Sequence, residues 1–237
     1  MDKGLSLKEA EHFIESSAPF TDLVKLGFGT ALITQKLKDK VALYRSAGLK
    51  PYFGGTLFEM FFVRGRYDDY KKFIASCQLD TVEVSDGSIR MEHTEKLDCI
   101  KDLAKDFRVL SEVGSKVKGA DLPNEVWVKN MKTELETGAW KVIAEARESG
   151  TIGIYQSDGS ANRELIDAIM TEISVDDVLW EAPNKAQQAM FIKLIGANVN
   201  LGNIAPAEVV ALEALRLGMR GDTFFDFLPE KYHDRKL

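Results

Sequence analysis

Apolar and polar positions follow two patterns along this chain. Short runs of mostly apolar residues, each followed by glycine or a charged residue, are separated by longer stretches in which apolar residues recur at helical spacing. The short runs predict seven β-strands, at 22–26, 51–53, 81–84, 107–110, 140–144, 178–180 and 198–201, in alternation with eight helices. If Met1 and Asp2 are the end of a further strand, the counts become eight and eight.

Strict alternation of strands and helices at short spacing predicts a parallel sheet with right-handed crossovers. Eight such units predict closure into an α/β fold, the (β/α)8 TIM-type barrel. Its first strand is expected to be largely missing from this chain, because only Met1 and Asp2 remain to form it. The alternative is an open doubly wound sheet, which needs a glycine-rich phosphate loop after its first strand, and the sequence has neither G-x-G-x-x-G nor a P-loop.

The composition indicates a globular protein with a small ligand. Hydrophobic residues make up 45% and charged residues 29% of the 237 positions, and the net charge of −6 argues against a nucleic-acid surface. No apolar run approaches the roughly 20 residues that span a bilayer. Cys77 and Cys99 lie in helical patterns without metal-ligand spacing, so we expect reduced thiols and a cytoplasmic location. We expect one barrel domain over residues 1–237, with a short carboxyl-terminal tail from about residue 226.

The residues that follow the predicted strands carry the candidate chemistry, because a parallel barrel gathers the carboxyl ends of its strands at one mouth. Cations and carboxylates are both abundant there: Lys3, Lys25, Thr30, Thr56, Glu59, Asp86, Glu112, Lys116, Glu145, Arg147, Glu148, Glu181, Asn184, Lys185 and Asn203. This mixture suits an anionic substrate and a divalent cation held by carboxylates. Oxygen ligands favour Mg²⁺ over zinc, because the three histidines lie on predicted helices or in the tail. The competing interpretation is that many of these charges form ion pairs at the rim.

The stretch 109–116 concentrates this pattern. Glu112 and Lys116 bracket Gly114 directly after an apolar run, so an acid and a base would emerge together at a strand end. We therefore assign catalysis to Lys116 and Glu112. Taken alone, the stretch fits a solvated loop lysine better, since exposed lysines are the commonest kind. Repetition of the strand, glycine and charge pattern along the chain favours the catalytic interpretation.

Longer motifs at these strand ends run through nearly the whole chain in order. They are Asp2-Lys3-Gly4, Val24-Lys25-Leu26-Gly27-Phe28-Gly29-Thr30, Gly54-Gly55-Thr56-Leu57-Phe58-Glu59, Val82-Glu83-Val84-Ser85-Asp86-Gly87-Ser88, Ser111-Glu112-Val113-Gly114-Ser115-Lys116, Glu145-Ala146-Arg147-Glu148-Ser149-Gly150 and Trp180-Glu181-Ala182-Pro183-Asn184-Lys185. In these motifs the chain resembles the phosphosulfolactate synthase family. The resemblance implies a Mg²⁺-dependent barrel lyase that adds sulfite to phosphoenolpyruvate, giving 2-phospho-3-sulfolactate on the route to coenzyme M. It also implies a homo-oligomer, a trimer as in the archaeal form, and relatives with a complete first strand.

The resemblance also implies roles for single residues. Sulfite would attack the methylene carbon of phosphoenolpyruvate, and Lys116 matches the lysine proposed to deliver a proton to C2. Metal binding is assigned to Asp86, Glu145 and Glu181, and Glu112 is a further carboxylate that the sequence does not rank against them. Substrate binding is assigned to Lys3, Lys25, Thr30, Thr56, Arg147 and Asn184.

Two other classes of function stay open at this point. The same barrel mouth could handle another nucleophile or another enol phosphate. A non-catalytic relative, similar to the heat-stress-associated proteins of plants, is the second class. Retention of Lys3, Lys25, Glu112, Lys116 and Arg147 argues against that second class, because a purely structural role does not need them.

Overall fold

The computed structural model describes residues 1–114 and 122–236. The strands in this part of the chain are β1 (Leu23–Leu26), β2 (Lys50–Phe53), β3 (Thr81–Val84), β4 (Arg108–Val113), β5 (Ala139–Ala144), β6 (Val178–Glu181) and β7 (Leu201–Gly202). The α-helices are α1 (Leu7–Ser17), α2 (Leu37–Ser46), α3 (Gly55–Phe62), α4 (Tyr67–Ser76), α5 (His93–Leu103), α6 (Asn124–Thr137), α7 (Arg163–Glu172), α8 (Lys185–Ile195) and α9 (Val209–Arg216). None of these described helices combines the length and apolar character needed to cross a membrane.

The strands pair in parallel and in sequence order, as the alternation predicts. β1 pairs with β2, and β3 to β7 form one continuous parallel sheet. β2 and β3 lie side by side, and the amide of Gly55, two residues after β2 at the start of α3, donates to the Glu83 carboxylate. Between β1 and the end of β7, Asp2 forms a parallel bridge with Leu26 and the Met1 amino group donates to the Ile204 carbonyl. This is the strand order of a (β/α)8 barrel, in which the Asp2 bridge stands at the place of the first strand.

The core lies in two layers because successive residues of a strand face opposite sides. The outward-facing residues, such as Val109 and Val142, pack with the helices in two large apolar clusters. A smaller cluster fills the interior between the strands and consists of Tyr52, Leu110, Ile143 and Leu179. Burial on both faces explains why the strands appear in the sequence as almost continuous apolar runs.

Two strands differ from their predicted bounds by more than one residue. β4 continues to Val113, so Ser111 and Glu112 lie on the strand and not after it. Polar residues extend this strand because Glu112 faces the interior, where it meets polar partners. β7 is shorter than predicted and begins at Leu201. There the Asn200 side chain donates to backbone carbonyls of the β6 region, a contact that competes with regular strand pairing.

Candidate active site

Three carboxylates occupy inward positions at the carboxyl ends of neighbouring strands. Glu112 on β4, Glu145 directly after β5 and Glu181 on β6 each follow, by two residues, one of the apolar side chains that fill the barrel interior. The two-residue period of a strand therefore turns all three toward the same space. Their exposed fractions are only 1%, 1% and 3%. The apolar cluster forms the floor of the site and the carboxylates lie above it.

These three carboxylates are close enough to bind one ion together. One oxygen from each of Glu112, Glu145 and Glu181 lies within 4.8 Å of the other two. Carboxylate oxygens are the ligands that Mg²⁺ prefers, and Mg²⁺ sites in proteins commonly combine a few carboxylates with water and substrate phosphates. The donor set of this carboxylate triplet therefore fits the Mg²⁺ expected from the sequence.

The Lys25 ammonium lies beside the triplet. Its Nζ atom is 3.0 Å from Glu83 Oε2, 3.4 Å from Glu112 Oε2 and 3.3 Å from Glu181 Oε1. Burial alone would lower the pKa of Lys25, but the attraction of the three carboxylates outweighs burial and raises this pKa well above its ordinary value. Lys25 therefore stays positively charged at neutral pH.

Backbone and side-chain donors fix the direction of these carboxylates. Glu181 Oε2 accepts from the Ala146 amide at 3.0 Å and from Asn203 Nδ2 at 3.5 Å. Glu83 accepts from the amide of Gly55 at the start of α3 and is also paired with Lys25. Such donors hold carboxylates in place before a substrate arrives, which favours a preorganised site.

Ser85 connects the triplet to a further buried carboxylate. Its Oγ atom lies 2.7 Å from Glu59 Oε1 and 2.8 Å from Glu112 Oε1. Glu59 Oε1 also accepts from the Ser88 amide at 3.1 Å. Ser85 thus ties α3 and the end of β3 to the Glu112 side chain.

A cavity of about 430 Å³ opens onto this cluster. Its wall includes Lys25, Thr56, Arg147 and all three carboxylates of the triplet. This volume lies within the range of small-molecule sites. A larger cavity of about 610 Å³ between β1 and β7 is lined by none of the three triplet carboxylates, so we place the candidate site in the smaller one.

Six of the residues that were assigned a role from the sequence meet at this cavity, namely Lys25, Thr56, Glu112, Glu145, Arg147 and Glu181. Lys3 lies nearby, paired with Glu148 of the cavity wall. Asn184 caps α8 and reaches the cavity only through Ser149, whose carbonyl accepts from Asn184 Nδ2 at 3.3 Å.

Two of the expected residues, Asp86 and Thr30, are not on this cavity wall, and the expectation for Lys116 stays a prediction. Asp86, expected as a metal ligand, pairs with Lys96 at 3.0 Å, and Glu112 takes the corresponding place in the triplet. The Thr30 hydroxyl donates to the Gly27 carbonyl at 2.8 Å, which occupies it within its own loop and away from the cavity wall. Lys116, expected as the acid/base residue, lies outside the described residues.

Sequence reasoning missed Glu83 and Ser85 as members of the site. The signal for Glu83 was present, because it is a charged residue between Val82 and Val84 inside an apolar run. Alternation places those two valines on the outer face and Glu83 on the inner one. Ser85 gave no such signal, because a serine after a strand is common in loops of many kinds.

Comparison with known proteins identifies the family. The family model described as (2R)-phospho-3-sulfolactate synthase (ComA) matches residues 1–222. The chain belongs to this family. Phosphosulfolactate synthase of Bacillus subtilis is 39% identical over 230 residues, covering 95% of this chain and 90% of that relative. Phosphosulfolactate synthase of Methanothermobacter thermautotrophicus is 40% identical over 230 residues, covering 94% of this chain and 89% of that relative.

Solved structures support the fold independently of the phosphosulfolactate synthase family. The crystal structure of 3-hexulose-6-phosphate synthase from Salmonella typhimurium, a TIM-barrel enzyme, aligns with a TM-score of 0.58. The alignment covers 93% of this chain and 97% of that chain at 14% identity. At that identity the likeness concerns the fold alone, and it confirms the (β/α)8 barrel.

Proposed function

We propose that the protein adds sulfite to phosphoenolpyruvate to give 2-phospho-3-sulfolactate, with Mg²⁺ held by Glu112, Glu145 and Glu181. The observation that supports this proposal is the carboxylate triplet beside a charged lysine in a cavity of the barrel. Membership in the phosphosulfolactate synthase family supplies the reaction. The chemistry requires a site that tolerates two anionic substrates and accumulating negative charge, and a lysine–carboxylate–metal cluster suits that need.

The sulfur of sulfite bonds to the methylene carbon, the π electrons of phosphoenolpyruvate move through C2 onto its carboxylate, and a proton is then added at C2. When bound, Mg²⁺ supplies fixed positive charge that stabilises such an anion. Lys25 adds a second positive charge and, because its pKa is raised, keeps that charge throughout. Arg147, exposed on the cavity wall, is suited to bind the phosphate by paired hydrogen bonds.

The proton for C2 requires a group other than Lys25. A general acid works best when its pKa lies near the working pH, and the carboxylates around Lys25 move its pKa in the opposite direction. We propose Lys116 as this acid, on its match to the family motif. Thr56 on the cavity wall, together with the backbone at the start of α3, is suited to contact the substrate phosphate.

The test is direct. Purified protein is incubated with phosphoenolpyruvate, sulfite and Mg²⁺, and mass spectrometry follows the sulfonated product. We expect product with Mg²⁺ and little product after treatment with EDTA, restored by added Mg²⁺. Absence of product under all of these conditions would contradict the proposed reaction, whereas product that is insensitive to EDTA would contradict only the metal.

We further propose a homo-oligomer, specifically a trimer, in the cytoplasm. The trimer follows from family resemblance, and sedimentation at micromolar concentration would show a monomer if it is wrong. The location follows from two buried free cysteines, Cys77 and Cys99, which suit a reducing compartment. Fractionation of host cells tests the location.

A further inference from the structure

Lys96 is a buried lysine outside the candidate cavity wall. It lies on α5 and is 1% exposed. Its Nζ atom is 3.0 Å from Asp86 Oδ1, 2.9 Å from Glu134 Oε1 on α6 and 2.7 Å from the backbone carbonyl of Glu112. One ammonium thus joins the loop after β3, helix α6 and the strand that carries a carboxylate of the triplet.

The contact with the Glu112 carbonyl takes the place of a backbone hydrogen bond between β3 and β4. The Arg108 amide donates to the Asp80 carbonyl, so alternate β4 residues from Arg108 to Glu112 direct their backbone polar groups toward β3. β3 ends at Val84, and the chain then turns away through Asp86. Lys96 Nζ stands where the next strand amide would otherwise donate.

We propose that Lys96 is a positioning residue that aims the Glu112 carboxylate at the candidate metal site. Lys96 holds the ends of β3 and β4 in the relative position that places Ser85 Oγ 2.8 Å from Glu112 Oε1. Residues that contact a metal ligand without binding the metal help to orient that ligand, and their mutation commonly lowers metal affinity 10- to 100-fold. This inference rests on the proposed metal function and assigns Asp86 to the support of Lys96.

The charge on Lys96 is balanced by a buried carboxylate. Burial would lower the pKa of Lys96, but Glu134 and Asp86 outweigh burial and raise this pKa. Glu134 is fully buried and also contacts His93 Nε2 at 3.2 Å. Removal of Lys96 alone would leave Glu134 charged and buried without this partner, which threatens folding. The test therefore removes both charges together.

The experiment compares Mn²⁺ affinity, measured by electron paramagnetic resonance of free Mn²⁺, in wild type and variants whose folding is checked by circular dichroism. Lys96→Met/Glu134→Gln removes the tie to Glu112. Glu134→Gln alone keeps that tie, and Lys71→Met makes the same lysine change in the half-exposed pair with Asp102. We expect Mn²⁺ to bind about 10- to 100-fold more weakly to the double variant, with both controls close to wild type.

Wild-type affinity in a folded double variant would overturn the inference. If the double variant does not fold, Lys96→Arg takes its place, because it keeps a charge opposite Glu134 but cannot present the same single donor to the Glu112 carbonyl. If wild type itself binds no Mn²⁺, the metal proposal fails by itself. A crystal structure of the variant then decides: displacement of Glu112 from Ser85 supports the positioning role, and an unmoved Glu112 overturns it.

Discussion

The surroundings of Lys25 suit it to charge stabilisation and not to proton delivery. Lys25 is surrounded by Glu83, Glu112 and Glu181, and its raised pKa makes it a lasting positive charge. Proton transfer to carbon needs a group that releases its proton near neutral pH. In the proposed reaction, Lys25 therefore stabilises charge and Lys116 delivers the proton.

We predict that Lys116→Ala and Lys116→Arg both lose turnover. A positioned acid or base contributes on the order of a hundredfold or more, so Lys116→Ala should lose at least that factor. Lys116→Arg should lose almost as much, because a guanidinium keeps its proton near neutral pH. Steady-state rates with phosphoenolpyruvate and sulfite check this. Near-normal rates in Lys116→Ala would return the residue to the class of solvated loop lysines.

Position 55 requires glycine because α3 approaches the end of β3 closely. A Cβ atom at this position would lie 2.3 Å from Ser85 Cβ and 2.7 Å from Glu83 Oε1. Both neighbours are buried and both contact the site, so neither can move without disturbing Lys25 or Glu112. The glycine is therefore required by space at the site.

We predict that Gly55→Ala lowers the free energy of unfolding by about 1–3 kcal/mol, the usual cost of forcing extra atoms into a packed core. It should also reduce turnover, since Glu83 and Ser85 must shift. Gly221→Ala is the matched control, because a Cβ there meets nothing within 4 Å. Chemical denaturation and steady-state rates measure both variants, and equal behaviour of the two would refute the packing argument.

At the level of elements, the sequence predicted the strands better than their side-chain contacts. The apolar runs located all seven strands of the described residues, because parallel strands buried on both faces have a simple pattern. The gathering of strand ends at one mouth also placed Glu145 and Glu181 at the site, where they lie together. Asp86 was assigned to the metal because its strand-end position fits that role, whereas its pairing with Lys96 depends on the packing of α5, which no local pattern reveals.

The amino-terminal segment is tied to the barrel by Asp2. This carboxylate pairs with Lys40 of α2 at 2.8 Å, accepts from the Gly4 and Leu5 amides, and accepts from the Tyr44 hydroxyl at 3.0 Å. Burial alone would raise the pKa of Asp2, but Lys40 and the amides outweigh burial and lower it. The ionised form is therefore the one that stabilises the fold.

We predict that Asp2→Asn lowers the free energy of unfolding at pH 6 by about 3 kcal/mol, because it leaves the Lys40 ammonium buried without its partner. A lowered pKa gives stabilisation that is complete above the unfolded pKa of about 3.9 and is lost as the pH falls through the folded pKa. The difference between wild type and variant should therefore shrink from pH 5 toward pH 3. Urea unfolding across this range checks it.

Asp69→Asn is the control for this pH dependence. Asp69 forms an exposed pair with Arg66 at 2.8 Å, where solvent screens the interaction. Its stability should follow that of wild type at each pH. A gap between wild type and Asp2→Asn that stays constant from pH 5 to pH 3 would mean that titration of Asp2 is not linked to folding.

On the scale of the whole molecule, the carboxylate triplet joins three neighbouring strands at one end of the barrel. Glu112, Glu145 and Glu181 come from β4, β5 and β6, so a shared ion would tie these strands together in the folded state only. An unfolded chain cannot bring residues so distant in sequence to within 4.8 Å. Ion binding should therefore stabilise folding as well as serve catalysis.

We predict that Mg²⁺ at about 100 times its dissociation constant raises the free energy of unfolding by about 2.7 kcal/mol. For a domain of this size, that corresponds to roughly 5–10 °C in Tm. Glu112→Gln, Glu145→Gln and Glu181→Gln should each lose most of this shift, because each removes one charged ligand. Glu172→Gln, which breaks a surface pair with Lys132, should keep it.

Scanning calorimetry with and without Mg²⁺ measures the shift. An equal shift in all four variants would place the ion elsewhere, and no shift in wild type would remove it from the triplet.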